Sequence, residues 1–243
     1  MTEHVQTRRF FAIVPAAGVG KRVGGDIPKQ YLSIHGKTIL EHTLLELLAV
    51  ERLEKIIVAL GRDDDYWRHL DIFSSPRISV VEGGAERVDS VLAGLTLCAQ
   101  QADQQDWVLV HDVARPCVQR LSVNHLIDTL QDHPVGGLLA VPATDTIKQA
   151  HGQLVEQTVD RSCLWHAQTP QMFGLQLLTQ AIEKGLANNA EITDEASAIE
   201  LQGLQPLLVE GLRSNIKVTR PEDIALASYY LDNKPSSKNK ENT

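Results

Sequence analysis

The chain is short of cysteine and has no long uninterrupted apolar run. Its three cysteines, Cys98, Cys117 and Cys163, lie far apart and form no Cys-x-x-Cys pair, so neither a disulfide framework nor a structural zinc site is expected. No segment approaches the ~18 consecutive apolar residues that span a bilayer, and the N-terminus carries no apolar stretch ending in a signal cleavage site. We therefore expect a cytoplasmic protein that does not contact a membrane.

Basic residues are also scarce, since 23 Lys and Arg against 31 Asp and Glu give a formal charge of -8. This balance argues against broad nucleic-acid binding, which requires a basic surface. Any polyanionic ligand must therefore be met by a local cluster of cations. The hydrophobic fraction of 43% is that of an ordinary globular protein, and 243 residues are enough for one large domain.

Continuous apolar runs alternate with helical patterns over the first ~140 residues. The runs occupy residues 10–14, 55–60, 77–81 and 107–110, and helical spacing covers residues 38–50 and 86–101. Continuous runs are typical of strands buried on both faces. The alternation predicts a parallel α/β sheet with right-handed crossovers.

The pattern changes after a further strand at residues 136–143. Short alternating runs around a turn at His151-Gly152 predict an extended hairpin arm over residues 144–165. A protruding arm exposes strand edges and apolar faces, which favours a homodimer. Helical patterns return at 175–186 and 194–201, and a capping-box spacing at 219–222 opens a last helix. We predict one domain over residues 8–231 and a disordered tail at 232–243.

A glycine-rich loop, VPAAGVGKRVGGDIPKQ at residues 14–30, follows the first strand. It is not a Walker A loop, because Pro15 replaces the first glycine of that motif and Arg22 replaces its hydroxyl residue. It is not a dinucleotide-binding turn either, because Val23 replaces the third glycine. What is present is small-small-Gly-x-Gly-x-Arg, then five residues, then Pro-Lys.

This spacing resembles the signature loop of nucleotidyltransferases, which transfer a nucleotide from a nucleoside triphosphate onto a phosphate. The small side chains leave backbone N–H groups open to phosphate oxygens, and Pro28 helps to fix Lys29. Arg22 and Lys29 can then face the α-phosphate, where charge accumulates as pyrophosphate departs. The alternative is a solvated turn after a strand.

Five further stretches, in this order along the chain, extend the resemblance. They are GGAERVDSV (83–91), HDVARP (111–116), TPQ (169–171), TDEAS (193–197) and NIKVT (215–219). With the loop, they resemble the 2-C-methyl-D-erythritol 4-phosphate cytidylyltransferase family over about residues 9–231. The resemblance implies CMP transfer from CTP to methylerythritol 4-phosphate with Mg²⁺, and a homodimer of Rossmann-like α/β subunits with a β-arm.

The resemblance also implies roles for particular residues. For catalysis it implies Arg22, Lys29, Arg161 and Lys217. For the nucleotide it implies Pro15, Ala16, Ala17, Gly18, Gly20, Gly84, Ser90 and Asp112. For the acceptor it implies Arg115, Thr146, Arg161, Thr169, Thr193 and Lys217, with Arg161 and Thr146 reaching across the dimer interface.

Asp112 is also a candidate on its position alone. It follows a buried strand, and ligands of open α/β sheets gather at the carboxyl ends of strands. A hard carboxylate there suits Mg²⁺, although a turn or helix cap would use the same residue. The neighbouring His111 is better explained as a structural histidine.

Several residues keep two explanations. Arg87 is a ligand contact or an ion-pair partner, Arg115 pairs with Asp112 or steers a phosphate, and Thr193 binds the acceptor or caps a helix. The role of Lys21 is also open.

Three residues depart from the pattern of the family: Ala85, Val113 and Ser214. Because Ser214 stands where an acidic residue is usual, only Asp112 is assigned to the metal. The rival functions are a cytidylyltransferase for another polyol phosphate, such as ribitol 5-phosphate, and a nucleotide-binding module without catalysis. A dinucleotide-dependent oxidoreductase is disfavoured by Val23.

Overall fold

A computed structural model describes residues 8–18 and 27–234 of the chain. In this part of the chain, seven strands form one central sheet in the order β11-β7-β10-β6-β1-β4-β5. These strands are β1 (Phe10–Ala16), β4 (Leu53–Leu60), β5 (Ile78–Glu82), β6 (Trp107–Val110), β7 (Gly136–Pro142), β10 (Trp165–Gly174) and β11 (Leu207–Glu210). Two short pairs stand apart from this sheet: β2 (Ser33–Ile34) with β3 (Lys37–Thr38), and β8 (Ile147–His151) with β9 (Leu154–Val159).

The sheet is parallel except for one strand. β1 runs parallel to β4 and β6, β4 to β5, and β11 to β7, whereas β10 runs antiparallel to both β6 and β7. The predicted α/β fold with a mostly parallel sheet is therefore confirmed.

The described residues contain six helices, five of which contribute to the two cores on the faces of the sheet, while the last one packs in a separate cluster. They are α1 (Ile39–Leu48), α2 (Arg87–Ala99), α3 (Arg120–Leu130), α4 (Leu175–Ala187), α5 (Glu195–Glu200) and α6 (Glu222–Asp232). Apolar residues of α1 and α3 pack in one core, and those of α2, α4 and α5 pack in a second core.

The first strand, β1, is a continuous apolar run because both of its faces are buried. Its alternate residues point to opposite faces of the sheet, so Phe10 and Ala12 lie in the first core while Phe11 and Ile13 lie in the second. All seven residues of the strand are buried. The site loop therefore leaves a strand that is held from both sides.

β10, β11 and α3 were not predicted from the sequence. β10 (WHAQTPQMFG) mixes polar residues and a proline with apolar ones, and its register shifts between Ala167 and Gln171. It therefore shows neither a continuous apolar run nor a regular alternation. The buried polar residues Gln168, Thr169 and Gln171 lie in this irregular part.

The arm predicted over residues 144–165 contains the antiparallel pair β8 and β9. Its turn includes Gly152 at φ 60°, in the left-handed region that favours glycine. Leu154 and Val155 are exposed on β9. Trp165, predicted as the end of the arm, instead begins β10 and pairs with Pro142 of the central sheet.

The C-terminal helix differs in detail from the prediction. The predicted capping box of Thr219 with Glu222 does not form, because the carboxylate of Asp223 accepts the N–H groups of Thr219 and Arg220 instead. The helix ends at Asp232, and most of the predicted disordered tail lies outside the described residues. Among the residues that are described, no helix is both long and apolar enough to cross a bilayer. The extent of the single domain stays a prediction.

Candidate active site

A cavity of about 750 Å³ opens at the carboxyl ends of β1, β5 and β6. Loops that follow these three strands supply most of its wall, and two short segments from elsewhere complete it. The cavity is lined by Pro15, Ala16, Ala17, Gly18, Lys29, Gln30, Gly84, Ala85, Glu86, Arg87, Ser90, Asp112, Val113, Ala114, Lys217 and Thr219. Nine of the residues predicted for catalysis, nucleotide or metal binding are therefore together: Pro15, Ala16, Ala17, Gly18, Lys29, Gly84, Ser90, Asp112 and Lys217.

The loop after β1 presents small residues to this cavity. The side chain of Gln30, which is 2% exposed, donates a hydrogen bond of 3.0 Å to the carbonyl oxygen of Ala16 and so fixes the start of the loop. A Cβ atom on Gly18 would meet nothing within 4 Å in the described chain. Packing within the described residues does not require this glycine, whereas close approach of a ligand would. Gly20 and Arg22 lie outside the described residues.

A tight turn after β5 forms the opposite wall. A Cβ atom on Gly83 would lie 2.6 Å from that of Ala17, and one on Gly84 would lie 2.2 Å from that of Asp89. Both glycines are therefore required by the protein itself. The hydroxyl of Ser90 accepts the N–H of Gly84 at 3.2 Å and donates to the carbonyl of Glu86 at 3.3 Å, so it holds the turn closed.

Asp112 is 7% exposed and is surrounded by cations. Its Oδ1 accepts Nε–H of Arg87 at 3.0 Å, and its Oδ2 lies 2.7 Å from Nζ of Lys217 and 3.9 Å from Nε of Arg115. Burial opposes ionisation of this carboxyl, but Arg87, Lys217 and Arg115 outweigh it, and the pKa of Asp112 lies below its usual value. Asp112 is therefore a carboxylate at neutral pH.

Arg87 forms an ion pair, which is one of the two roles proposed for it. Its Nη1 and Nη2 donate to the two carboxylate oxygens of Glu195 at 2.7 and 3.1 Å, while its Nε donates to Asp112. Burial alone would lower the pKa of Arg87, but the two carboxylates raise it above its usual value. The guanidinium is thus a permanent cation between two carboxylates.

His111 is buried behind Asp112 and has the structural role predicted for it. The hydroxyl of Thr169 accepts the backbone N–H of Asp112 at 3.0 Å and lies 3.0 Å from His111 Nδ1. The hydroxyl proton of Thr169 can then be donated to Nδ1 of His111. In this tautomer the proton of the ring is on Nε2, which donates to the carbonyl of Arg115 at 3.3 Å. Burial lowers the pKa of His111 to about 4, consistent with this neutral ring.

Two lysines distant in the sequence line the same cavity. Lys29 follows the glycine-rich loop and its Nζ donates to the carbonyl of Val218 at 3.4 Å. Lys217 precedes Val218, whose N–H pairs with the carbonyl of Ala114 just beyond Asp112. The segment around Lys217 is therefore attached to the loop after β6, and this attachment places Lys217 beside Asp112, with Lys29 in the same cavity.

The residues predicted for the acceptor are more dispersed. Thr169 is buried and its hydroxyl is engaged as described. Arg115 pairs with Asp112, as one of its two explanations required, and donates to the carbonyl of Asn215 at 2.7 Å. Arg161 and Thr146 lie at the base of the arm, where Arg161 donates to the carbonyl of Thr144.

Thr193 is exposed and does not cap α5. The cap is Asp194, whose carboxylate accepts the N–H of Ser197 at 2.9 Å, so the capping explanation of Thr193 is wrong. Its role toward the acceptor stays a prediction.

Glu195 is the main residue of this site that the sequence did not reveal. It stands within the TDEAS stretch but is separated from Arg87 by 108 positions, and no local spacing links the two. In the described residues, no group of three His, Cys, Asp or Glu side chains could hold a metal ion. Any metal here would depend on Asp112 and on oxygens from a ligand.

The cavity combines a loop of small residues after β1, a carboxylate after the adjacent strand β6, and two lysines. This combination on an α/β sheet is that of the nucleotidyltransferase class. Residues 10–233 match the family described as 2-C-methyl-D-erythritol 4-phosphate cytidylyltransferase. The chain belongs to this family and is therefore a cytidylyltransferase.

Relatives and solved structures agree with this membership. Proteins of the same name from Vibrio vulnificus (strain YJ016) and from Pseudomonas putida are 52% and 54% identical, over 93% and 88% of this chain and 96% and 92% of their own. The Francisella tularensis 2-C-methyl-D-erythritol 4-phosphate cytidylyltransferase structure has 38% identity and a TM-score of 0.79, over 91% of this chain and 99% of its own. A crystal structure of 4-diphosphocytidyl-2C-methyl-D-erythritol synthase has 36% identity and a TM-score of 0.81, over 93% and 99%.

Proposed function

We propose that this cavity transfers CMP from CTP to 2-C-methyl-D-erythritol 4-phosphate, giving 4-diphosphocytidyl-2-C-methyl-D-erythritol and pyrophosphate for isoprenoid precursor synthesis. One observation carries the proposal: Lys29, Lys217 and Asp112 line one cavity together with the open backbone of the β1 loop. Family membership supplies the identity of the two substrates.

We propose that the nucleotide lies across the cavity from the turn after β5 to the loop after β1. The turn held by Ser90 offers backbone polar groups and a flat glycine surface for the cytosine and ribose. The loop of Ala16, Ala17 and Gly18 offers backbone N–H groups to the triphosphate. That no described atom lies within 4 Å of a Cβ atom on Gly18 supports this placement.

The reaction is then an in-line attack of an acceptor phosphate oxygen on the α-phosphorus of CTP. A general base is not required, because a phosphate monoester is already ionised at neutral pH. The obstacle is repulsion between two anions, and Lys29, Lys217 and the predicted Arg22 offset it and the charge that develops on the departing pyrophosphate.

We assign the divalent cation, Mg²⁺, to Asp112. Magnesium is usually held by one or two carboxylates together with substrate phosphates, so a single buried carboxylate fits the ion. Each oxygen of Asp112 keeps acceptor capacity beyond the contacts with Arg87 and Lys217. When bound, the ion would neutralise phosphate charge.

We also propose a homodimer in which the arm of one protomer brings Arg161 and Thr146 to the acceptor in the cavity of its partner. The support is that both residues lie at the base of the arm, away from the cavity lining, and that the arm carries the exposed apolar side chains of Leu154 and Val155. Arg161 suits a phosphate because its planar group binds two oxygens at once.

A cytoplasmic location is part of the proposal. Its support is that the cysteines are free thiols, two of them buried, as is usual for proteins of a reducing compartment.

The decisive experiment is to measure pyrophosphate release with each of the four nucleoside triphosphates, with and without methylerythritol 4-phosphate. We expect pyrophosphate release only with CTP and methylerythritol 4-phosphate together. In a competition assay, methylerythritol 4-phosphate should be preferred to ribitol 5-phosphate as the acceptor. CTP binding without release in any pairing would contradict the proposal and favour a non-catalytic module.

A further inference from the structure

Glu195 is a buried carboxylate that the proposed chemistry does not use. It is 2% exposed, and both of its oxygens accept hydrogen bonds from Arg87. It is absent from the lining of the cavity, whereas Arg87 and Asp112 belong to it. Glu195 therefore does not touch a ligand in this cavity, and its hydrogen bonds reach the cavity through Arg87.

The position of Glu195 is fixed by the central sheet. Gln171 of β10, which is 1% exposed, donates to the carboxylate of Asp194 at 2.8 Å and accepts the N–H of Ala196 at 2.8 Å. One buried amide thus holds the residues on both sides of Glu195. This side chain stands on a rigid element, as a group that orients another group must.

The contacts of Glu195 determine how Arg87 meets Asp112. Both terminal nitrogens of Arg87 point to Glu195, so only Nε–H is directed to Asp112, at its Oδ1. Without Glu195, the guanidinium could turn and pair with both oxygens of Asp112, the geometry that arginine prefers with a carboxylate. Oδ2 would then be lost to the cavity.

Glu195 also changes the charge that Asp112 experiences. Arg87, Lys217 and Arg115 are three cations around one carboxylate, and Glu195 neutralises one of them. A carboxylate surrounded by fewer uncompensated cations attracts a divalent ion more strongly.

We propose that Glu195 is a positioning residue, which holds Arg87 away from Oδ2 of Asp112, so that a divalent cation has only the ammonium group of Lys217, and not the guanidinium of Arg87, to displace from this oxygen. This inference rests on the proposed role of Asp112 at the metal. It assigns to the TDEAS stretch a function distinct from the predicted acceptor contact of Thr193.

The test compares Glu195→Gln with the wild type in two binding measurements. Mn²⁺ is titrated by electron paramagnetic resonance into the enzyme with CTP and no acceptor, so that the nucleotide is not consumed. CTP alone is titrated by calorimetry without metal. We expect Mn²⁺ affinity to fall about 10- to 100-fold, as is usual for residues that orient metal ligands, and metal-free CTP affinity to stay or increase.

Glu200→Gln is the matched control, because Glu200 is exposed at the other end of the same helix. It should leave both affinities at the wild-type values. If Glu195→Gln does not fold, the double variant Arg87→Gln/Glu195→Gln removes both buried charges. It should keep a Mn²⁺ affinity close to the wild-type value, because the guanidinium that would otherwise cover Oδ2 of Asp112 is absent and the net charge around Asp112 is unchanged.

Wild-type Mn²⁺ affinity in a folded Glu195→Gln variant, or a loss of more than tenfold in the double variant, would overturn the inference alone. A wild-type enzyme whose CTP complex takes up no Mn²⁺ would overturn the metal role of Asp112 and this inference with it. Failure of the proposed function is seen separately, as absence of pyrophosphate release by the wild type and by Glu200→Gln.

Discussion

At the scale of single residues, the cavity is a balance between one buried carboxylate and the cations around it. Lys29 stands near the end of the glycine-rich loop, and its side chain reaches the segment that carries Lys217. Its contribution should appear mainly in the transition state, where charge moves from the α-phosphate to the departing pyrophosphate.

For Lys29→Ala we expect turnover to fall on the order of 10²- to 10³-fold, by analogy with removal of one oxyanion donor. Steady-state pyrophosphate release measures this. Lys184→Ala, at an exposed lysine of α4, is the control and should turn over at the wild-type rate. Near-normal turnover of Lys29→Ala would remove Lys29 from the catalytic set.

His111 gives a residue-scale prediction about stability and pH. Its pKa is lowered to about 4 in the folded chain, against 6.5 for the free side chain, so the unfolded state binds the proton first. The contribution of neutral His111 to the free energy of unfolding is fully present above pH 6.5. It is lost as pH falls toward 4, by on the order of 3 kcal/mol.

Chemical unfolding of wild type and His111→Asn across this range measures the loss. In the variant, the free energy of unfolding should lack the fall between pH 6.5 and 4 that the titration of His111 causes in the wild type. Asp112 does not confuse the result, because a carboxyl with a depressed pKa loses its contribution only below the usual aspartate range. If the free energy of unfolding of the two proteins changes with pH in the same way, His111 does not titrate as stated.

At the scale of elements, two glycines of the cavity should behave in opposite ways. Ala at Gly83 would place a methyl group 2.6 Å from the Cβ of Ala17, whereas the Cβ of Ala at Gly18 would have no described atom within 4 Å. We expect Gly83→Ala to lower the free energy of unfolding by about 1–3 kcal/mol, as overpacking does. Gly18→Ala should leave the melting temperature unchanged and weaken CTP binding.

Thermal melts and CTP titrations of the two variants decide this. Each variant is the control of the other, since both add one methyl group close to the cavity. Gly18→Ala with wild-type CTP affinity would contradict the placement of the triphosphate on this loop.

The elements also show what the sequence could reveal. β1 was predictable because burial on both faces requires a continuous apolar run. Asp112 was predictable because it follows a recognisable strand, and Lys29 because the spacing of the glycine-rich loop up to Pro28-Lys29 resembles a known signature. β10 was not, because the buried polar residues Thr169 and Gln171 are satisfied by partners far along the chain. Glu195 escaped for the same reason: the guanidinium that satisfies it lies on another helix.

At the scale of the whole molecule, the arm is the feature on which the proposed dimer depends. Leu154 and Val155 are 79% and 61% exposed. We expect Leu154→Glu to weaken the proposed dimer by at least about tenfold, because it places a charge in an apolar contact. Sedimentation at several protein concentrations measures this, with Leu45→Glu, at an exposed leucine of α1, as the control. A monomeric wild type would contradict the dimer.

Mixing two inactive variants tests whether the site is shared. If Arg161 serves the cavity of its partner, a dimer of Lys29→Ala with Arg161→Ala contains one cavity with both residues intact. After random subunit exchange, about a quarter of wild-type activity should return, since half of the dimers carry one such cavity. If activity does not return after verified exchange, Arg161 acts within its own protomer or not at all.

The ion pair between Lys217 and Asp112 has a consequence for the order in which ligands arrive. Because Nζ of Lys217 lies 2.7 Å from Oδ2, the substrate-free enzyme keeps its own counter-ion at the oxygen assigned to magnesium. A free cation must compete with a tethered ammonium group, whereas a triphosphate can attract that group away. We therefore expect the metal to enter together with the nucleotide, so that fluctuations in free magnesium alone leave the resting enzyme unchanged.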